Sequence, residues 1–317
     1  MANTGVVYLY RFVEGEAPVL RFLDSYRRHP AGLEHDLHVL MKGFPNEGAL
    51  RSARALFGTV LKDAIEVGDS GYDIGSYFAA ARAVSNGRLM FLNTFSEILA
   101  DNWLAHFDQA LSVPGVGLVG ATGSWQCASS GYEAKFFKAL RRIKVLPELA
   151  GHHKPHSGEA DNPRHSEAVH DRINFRVALR KLFRAGLYPV RLYQFGRHPN
   201  PHIRTNAFMI ERNIFLSLRA ITLKKKIDAY KFESGRDSMT KQIIARGLRP
   251  VVVDRWGKVY EIPDWKSSST FWVDLQANLA VADNQTMGYA SGSAERRRLL
   301  TSYAWDSPWS WDMPGPL

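Results

Sequence analysis

The chain has 317 residues, of which 45% are hydrophobic and 23% are charged. These are ordinary proportions for a globular protein, so the disordered, collagen-like and coiled-coil classes are excluded. The single cysteine, Cys127, rules out an intramolecular disulfide and the spacings of zinc-finger or iron–sulfur proteins, and it favours a reducing compartment. With 41 Lys and Arg against 31 Asp and Glu, the formal charge of +10 favours acidic partners such as nucleic acid, anionic lipid or phosphorylated small molecules.

Short apolar strands alternate with helical periodicity through the first hundred residues. The pattern predicts strands over 6–12, 35–41, 64–67 and 88–93, and helices over 18–29, 49–60 and 77–84. This alternation is typical of a parallel sheet with helices on its faces, and it predicts a nucleotide-binding half.

The second part of the chain is less regular. Residues 98–111 are amphipathic, 115–121 form a buried strand with glycines, and 148–170 lack apolar periodicity and are interpreted as a loop insertion. Basic and apolar residues alternate at helical spacing over 171–185, and an apolar stretch follows at 207–210. A helix is predicted over 238–246 with Gly247 as its cap, then a strand over 249–254. Beyond residue 271 the pattern is helical, then polar, then rich in tryptophan.

Walker A, G-x-S-x-G and H-E-x-x-H motifs are missing, so candidate sites must be found from groups of residues. Asp69 and Asp73 lie in a glycine-rich stretch between a strand and a helix, where ligands bind in open α/β sheets. An ordinary turn is the alternative.

Two groups of histidines are further candidates for a binding or metal site. His198 and His202 bracket a Pro-Asn-Pro turn and could line a pocket, although an exposed turn explains them equally well. A second group follows no tight ligand spacing and falls in the irregular segment, which speaks against a structural metal there. It consists of His152, His153, His156, Asp161, His165 and His170.

Glu233 is placed just ahead of the predicted helix over 238–246, beside a flexible Ser-Gly. A general base can be presented to a cleft from such a position. Acidic residues at a helix start also simply favour the helix dipole, with Ser234 or Asp237 as cap, and both interpretations stay open at this point.

Four motifs, in order, resemble GT-A glycosyltransferases of the family-two type. The central motif consists of the stretches 88–96, 101–104 and 115–121, which are similar to the family's central strand, Gly-Trp-Leu helix and Val-Gly strand. Gly71 and residues 73–75 are similar to an N-x-G-x-D-[IV] element of the rhamnan-type enzymes, with Asp69 in place of the Asn. Residues 205–215 and 233–253 resemble the family's later segments, so the likeness covers roughly residues 5 to 260.

The resemblance implies an α/β fold with a GT-A-like mixed, mostly parallel sheet flanked by helices. It divides the chain into a transferase domain over 1–270 and a helical, Trp-rich extension over 271–317. Within the first, 1–125 would bind the nucleotide sugar, and 126–270 would form the acceptor half with an insertion near 148–200.

The implied reaction is transfer of a sugar from a nucleotide sugar to a hydroxyl, with inversion, in glycan or surface polysaccharide biosynthesis. Carried over by position, the catalytic residues are Glu233, as base, and Asp237. The expected donor-binding residues are Arg11, Asp73, Gly75, Arg82, Asn93 and Thr94. The expected acceptor-binding residues are His202, Arg204 and Asn206.

The family's metal-binding Asp-x-Asp falls at residues 93–95, where Phe95 replaces the key aspartate. The usual manganese or magnesium site is therefore not made from these side chains, and no metal ligands are assigned. A lost cation must be compensated, because it offsets the charge of the leaving diphosphate. Lys and Arg can do this, or Glu97 or Asp73 can hold an ion; a degenerate, inactive relative is the remaining alternative.

The expected partners are a nucleotide sugar and a glycan, lipid-linked or protein acceptor, with no nucleic acid. A basic nucleic-acid-binding protein is the alternative from another class, motivated by the charge and by basic stretches at 138–144, 172–184 and 224–226. Residues 1–10 lack the features of a secretory signal, and no apolar run reaches the roughly 20 residues of a membrane span. We therefore expect a cytoplasmic location. The arginines at 296–298 and the Trp-rich tail either contact the inner face of a membrane or pack back on the domain.

Overall fold

A computed structural model describes residues 2–129, 188–219 and 225–307. The predicted insertion near 148–170, the histidine group within it, the basic stretches at 138–144 and 172–184, and the last two tryptophans lie outside these residues. Within the described ranges no helix has the length and apolar character that crossing a membrane requires.

An eight-stranded sheet forms the centre of the molecule, with the order β11-β10-β6-β9-β4-β1-β2-β3. The strands of this sheet are β1 (Thr4–Arg11), β2 (His35–Lys42), β3 (Leu61–Val67), β4 (Arg88–Leu92), β6 (Val116–Gly120), β9 (Ala207–Glu211), β10 (Arg249–Val253) and β11 (Val259–Tyr260). Two small antiparallel pairs join β5 (Glu97–Ile98) to β12 (Val281–Ala282) and β7 (Gly123–Ser124) to β8 (His202–Ile203).

The central strands are mainly parallel. β1 pairs in parallel with β2 and β4, and β2 with β3, whereas β9 runs antiparallel between β4 and β6. The strand β10 is parallel to β6, and β11 closes the sheet as an antiparallel edge. The predicted α/β class with a mixed, mostly parallel sheet flanked by helices is therefore confirmed.

Helices cover both faces of this sheet. Those that the structure describes are α1 (Ala17–Arg28), α2 (Glu47–Phe57), α3 (Tyr72–Ala83), α4 (Trp103–Leu111), α5 (Tyr188–Phe195), α6 (Arg212–Ser217), α7 (Lys226–Ser234), α8 (Met239–Ile244), α9 (Asn284–Ala290) and α10 (Ala294–Trp305). Successive residues of β1 point to opposite faces, so Tyr8 packs with α1, α2 and α4 and Val7 packs with α3 and the later helices.

Two predicted helix boundaries differ from the structure. Helix α3 begins at Tyr72 rather than residue 77, after Gly71 and Tyr72 take positive φ angles of 79° and 50°. The amphipathic stretch 98–111 divides into β5 and a helix that begins at Trp103, because Asn102 takes a φ of 56° that a right-handed helix does not allow.

The described part of the C-terminal extension packs into the same core. Trp305 is buried, its indole N–H donates to the carbonyl of Phe271 at 2.9 Å, and its ring lies 5.5 Å from that of Trp125. The tail was expected either to contact a membrane or to pack back on the domain, and Trp305 packs on the domain.

Candidate functional site

The carboxyl ends of the parallel strands and the amino end of β9 meet at one edge of the sheet. Arg11 ends β1, Lys42 ends β2, and Asn93 follows β4. Because β9 runs in the opposite direction, the segment before it, Arg204 to Asn206, reaches this same edge. From β1 the chain continues to β2 and β3 on one side and later returns to the other side of β1 as β4, so the order of the strands switches at β1. Open α/β sheets bind ligands at such a switch point, and we call this edge of the sheet the crevice.

Asp73 and Glu233 come to this edge from different elements. Asp73 lies in the first turn of α3, and Glu233 lies in the last turn of α7, yet each is within electrostatic reach of the other. Burial raises the pKa of Asp73 above its usual range, while the nearby cations Arg11 and Lys42 oppose that rise. Two carboxylates at one crevice can divide the tasks of binding and proton transfer.

Glu233 is held in place by Thr205. The backbone N–H of Thr205 donates to Oε2 of Glu233 at 2.9 Å, and its hydroxyl donates to the same oxygen at 2.6 Å. Within the described ranges, these are the hydrogen bonds assigned to the carboxylate, and both use Oε2. Oε1 is therefore the oxygen that these bonds leave for a ligand hydroxyl.

The predicted caps of the helix over 238–246 are wrong. Glu233 lies in the last turn of α7, which ends at Ser234, and the next helix, α8, is separate and is capped by Ser238, whose hydroxyl accepts from the N–H of Lys241 at 3.4 Å. Neither Ser234 nor Asp237 caps the helix, because the chain turns once more after α7 before α8 begins.

His202 lies beside Glu233 and is almost fully buried. Its Nδ1 is 2.8 Å from the carbonyl of Asn200. A carbonyl only accepts, so Nδ1 carries the proton and the neutral ring has its lone pair on Nε2. Burial lowers the pKa of His202, against the raising effect of Glu233. The imidazole is therefore neutral at pH 7.

Arg204 and Asn206 are buried at the same edge. One guanidinium nitrogen of Arg204 donates to Asp283 at 3.1 Å, and the guanidinium lies 4.4 Å from the centre of the Phe271 ring. Asn206 accepts through Oδ1 from Thr122 at 3.0 Å. Among the described residues, Nη1 of Arg204 and Nδ2 of Asn206 have no hydrogen-bond partner. Buried donors of this kind are rare unless a water or ligand accepts from them.

The turn after β4 does not fit a carboxylate-held cation. Oδ1 of Asn93 accepts from the N–H of Phe95 at 3.0 Å and from the hydroxyl of Ser96 at 3.2 Å, so it folds back on its own turn. Within the described part of the chain, no group of three His, Cys, Asp or Glu side chains is arranged to hold a metal ion. Thr94 is buried beside Asn93, and its carbonyl accepts from the hydroxyl of Tyr8 at 2.8 Å.

Arg11 remains partly exposed at the end of β1. Its guanidinium donates to Glu14 at 2.9 Å and lies 3.7 Å from Asp69. Gly75 is in the first turn of α3, where its N–H donates to the carbonyl of Gly71 at 2.8 Å.

Arg82 and Asp237 are not brought to the Asp73–Glu233 pair. Arg82 is exposed in the last turn of α3, roughly 14 Å along the helix from Asp73 at 1.5 Å per residue. The Asp237 side chain is exposed between α7 and α8, and its backbone carbonyl accepts from Gln242 at 2.9 Å. The sequence resemblance supplied both residues by position, and the helix lengths place them elsewhere.

Two residues at the crevice were missed by the sequence analysis. Lys42 is fully buried, and its ammonium donates to the carbonyls of Ser70 and Tyr72 and to the hydroxyl of Ser76. Burial lowers the pKa of Lys42, while Asp73 and Asp69 raise it. The sequence signal that could have identified Lys42 is its position, since it is a lysine at the end of an apolar strand.

Tyr77 is the second of these residues. It lies one helical turn after Asp73 and is fully buried, and its hydroxyl has no hydrogen-bond partner among the described residues. Burial raises its pKa, and Asp73 and Glu233 add to the rise. The hydroxyl is therefore protonated and lies within electrostatic reach of both carboxylates.

No family model and no curated protein matches this chain. Among solved structures, a mannosyltransferase from Pyrobaculum calidifontis in complex with GDP-Man and Mn²⁺ is 15% identical, with a TM-score of 0.32, over 41% of this chain and 40% of that one. TarS from S. aureus with UDP-GlcNAc is 11% identical, with a TM-score of 0.30, over 37% of this chain and 33% of that one. GalNAc-T7 with UDP, GalNAc and Mn²⁺ is 17% identical, with a TM-score of 0.32, over 38% and 23%. In all of these the chain spans less than half the length of the structure it matches.

Proposed function

We propose that this protein transfers a sugar from a nucleotide-sugar donor to a hydroxyl acceptor. The observation that carries the proposal is the placement of Asp73 and of Glu233, which is held by Thr205, at the sheet edge where the chain order switches at β1. The ordered motifs of the sequence support the same reaction class.

Glu233 is the proposed base. With Oε2 fixed by Thr205, its other oxygen takes the proton of the acceptor hydroxyl. The acceptor oxygen then forms a bond to the anomeric carbon while the bond from that carbon to the phosphate oxygen breaks. The electron pair leaves with the nucleoside diphosphate, and attack opposite to the leaving group inverts the configuration.

Asp73, in the first turn of α3, is the proposed contact to the base or ribose of the nucleotide. Arg11 faces the same crevice and offers a guanidinium to the leaving diphosphate. Because the turn containing Phe95 does not fit a metal ion, no step is assigned to one. Asn93 and Thr94 line the donor side in this proposal.

The acceptor side is assigned to the segment before β9. His202, Arg204 and Asn206 reach the crevice there, and the unpartnered nitrogens of Arg204 and Asn206 are donors suited to hydroxyl oxygens. We further propose the division into a donor half over 1–125, an acceptor half over 126–270 and an extension after it. The pathway proposed is glycan or surface polysaccharide synthesis.

The test is calorimetric titration of the purified protein with UDP, GDP, CDP and dTDP sugars, with EDTA and then with added manganese. Saturable binding of one donor is expected to survive EDTA. If none of these donors binds under either condition, the proposal is overturned.

The Glu233→Gln variant tests the base. It should retain donor affinity and lose transfer, because a base acts on the transition state more than on the ground state. The matched control is Glu211→Gln, an exposed glutamate at the opposite end of β9, paired in register with Arg88. Asp237→Asn examines the other candidate carboxylate. Wild-type turnover in Glu233→Gln would remove the assigned role.

A further inference from the structure

A second crevice, of about 410 Å³, opens beyond the end of α1. It is bounded by the residues after α1, by the segment from β5 to the first turns of α4, and by the turn between β10 and β11. None of the residues that line it belongs to the Asp73–Glu233 site. Its volume lies within the range of roughly 300–1,000 Å³ that is typical of small-molecule sites.

Trp256 forms one wall of this crevice, and 72% of it is exposed. Its backbone is nevertheless fixed, because the buried carboxylate of Asp254 accepts from the N–H groups of Trp256 and Lys258, both at 2.9 Å. Gly257, with a φ of 83°, brings the turn so close to α4 that a Cβ would lie 2.8 Å from the His106 ring. A large aromatic face is thus presented to solvent on a rigid turn.

Hydrogen-bonding groups surround this face. The guanidinium of Arg255 lies over the indole ring, 5.3 Å from its centre, and donates to the carbonyl of Leu99 at 2.7 Å. Its Nε, like Nδ1 of His106, is buried and has no hydrogen-bond partner among the described residues. Across the crevice, Nδ1 of His29 lies 2.7 Å from the carboxylate of Asp101. These groups are suited to a ligand that both donates and accepts.

The crevice carries both a positive and a negative side chain, Arg255 and Asp101, and this limits the kind of ligand that it can bind. A phosphate or other anion would meet the carboxylate of Asp101, 62% exposed, as well as Arg255. An apolar ligand would cover the Asp101 carboxylate and the His29 ring without replacing the hydrogen bonds that water makes to them. A pyranose ring satisfies both conditions, because its hydroxyls donate and accept and its C–H face packs on the negative face of an indole.

We infer that this crevice binds a neutral sugar residue of a glycan, with the ring stacked on the exposed indole of Trp256 and its hydroxyls bonded to the His29–Asp101 pair. The crevice is a site separate from the one where the transfer reaction is proposed. The inference does not depend on that reaction, since it rests on other residues.

The test uses the full chain and a panel of neutral disaccharides: maltose, cellobiose, lactose, chitobiose and mannobiose. Binding is measured by saturation-transfer difference NMR and by calorimetry, with inorganic phosphate as a parallel probe. The variant is Trp256→Ala, and its folding is checked by thermal melting. Tyr193→Ala is the matched control, because Tyr193 is 71% exposed and lies 5.3 Å from a guanidinium, that of Arg236.

At least one disaccharide should bind the wild type, Tyr193→Ala and Glu233→Gln equally, and bind Trp256→Ala at least tenfold more weakly. Retention in Glu233→Gln separates this result from the transferase proposal. The inference is overturned if no disaccharide binds the wild type, if binding is unchanged in Trp256→Ala, or if phosphate alone binds in a Trp256-dependent way.

Discussion

Replacing Lys42 with methionine should destabilise the protein and loosen the segment that positions Asp73. The Lys42 ammonium is buried and donates to the carbonyl of Ser70 at 2.8 Å, the carbonyl of Tyr72 at 2.9 Å and the hydroxyl of Ser76 at 3.0 Å. Methionine keeps most of the apolar stem but removes all of these donors. The hydrogen bonds that are lost are those to residues just before α3 and in its first turns.

The loss of stability in Lys42→Met depends on which hydrogen-bond acceptors have no other donor once the ammonium is removed. The carbonyl of Tyr72 still accepts from the Ser76 hydroxyl at 3.2 Å, so the carbonyl of Ser70 is the main group left unpaired. Losing a charge-assisted hydrogen bond costs about 1.5–3 kcal/mol, and relief from burying the ammonium offsets part of it. We expect the free energy of unfolding to fall by about 2 kcal/mol and the melting temperature by roughly 3 °C.

Urea denaturation followed by circular dichroism, together with thermal melting, measures both values. The matched control is Lys62→Met, because Lys62 is an exposed lysine on the neighbouring strand β3 and should change the free energy of unfolding by less than about 0.5 kcal/mol. A Lys42→Met protein as stable as the wild type would refute the reasoning, since it would mean that the burial cost of the ammonium equals the worth of its bonds.

Two further outcomes are expected. Thr205→Val removes the hydroxyl that donates to Glu233 at 2.6 Å, so turnover should fall about five- to tenfold, which corresponds to about 1 kcal/mol or slightly more, while donor affinity stays unchanged. Thr205→Ser keeps a hydroxyl and should restore turnover. A serine variant as slow as the valine variant would exclude the hydroxyl as the cause. Burial raises the pKa of Tyr26 from 10.0 to about 12, so above pH 10 the unfolded chain loses this proton first and the stabilising contribution of Tyr26 disappears as the pH approaches 12. In urea titrations the stability difference between wild type and Tyr26→Phe should shrink over that range, and a constant difference would contradict the pKa shift.

The fold was accessible from the sequence because local pattern and burial coincide. The strand β1 is largely an apolar run and β2 carries apolar residues at Leu37 and over 39–41, as expected for buried strands, and their predicted limits nearly match the structure. The antiparallel direction of β9 was not accessible, because an apolar run at 207–210 has no direction until its partners are known. The helix starts at Tyr72 and Trp103 were missed because backbone angles of preceding residues, not hydrophobic spacing, set them.

The site was predicted only in part, for a physical reason of the same kind. Asp73 and Glu233 were selected by position in the resemblance and lie within electrostatic reach of each other, whereas Arg82 lies at the far end of α3. Lys42 and Tyr77 contribute through burial, which depends on long-range packing and leaves little trace in local sequence.

The small β7–β8 pair has a consequence for how this chain can change. Gly123 is paired with Ile203 and Ser124 with His202, so the chain leaves the region of β6 and returns to β9 through one short antiparallel clasp. Because β7 and β8 hold the two ends of the intervening segment together, the length of that segment has little effect on the stability of the sheet. The entropy lost on closing a loop grows only slowly with loop length. The number of residues between positions 129 and 188 can therefore change, in evolution or by design, with little effect on the sheet that positions Asp73 and Glu233.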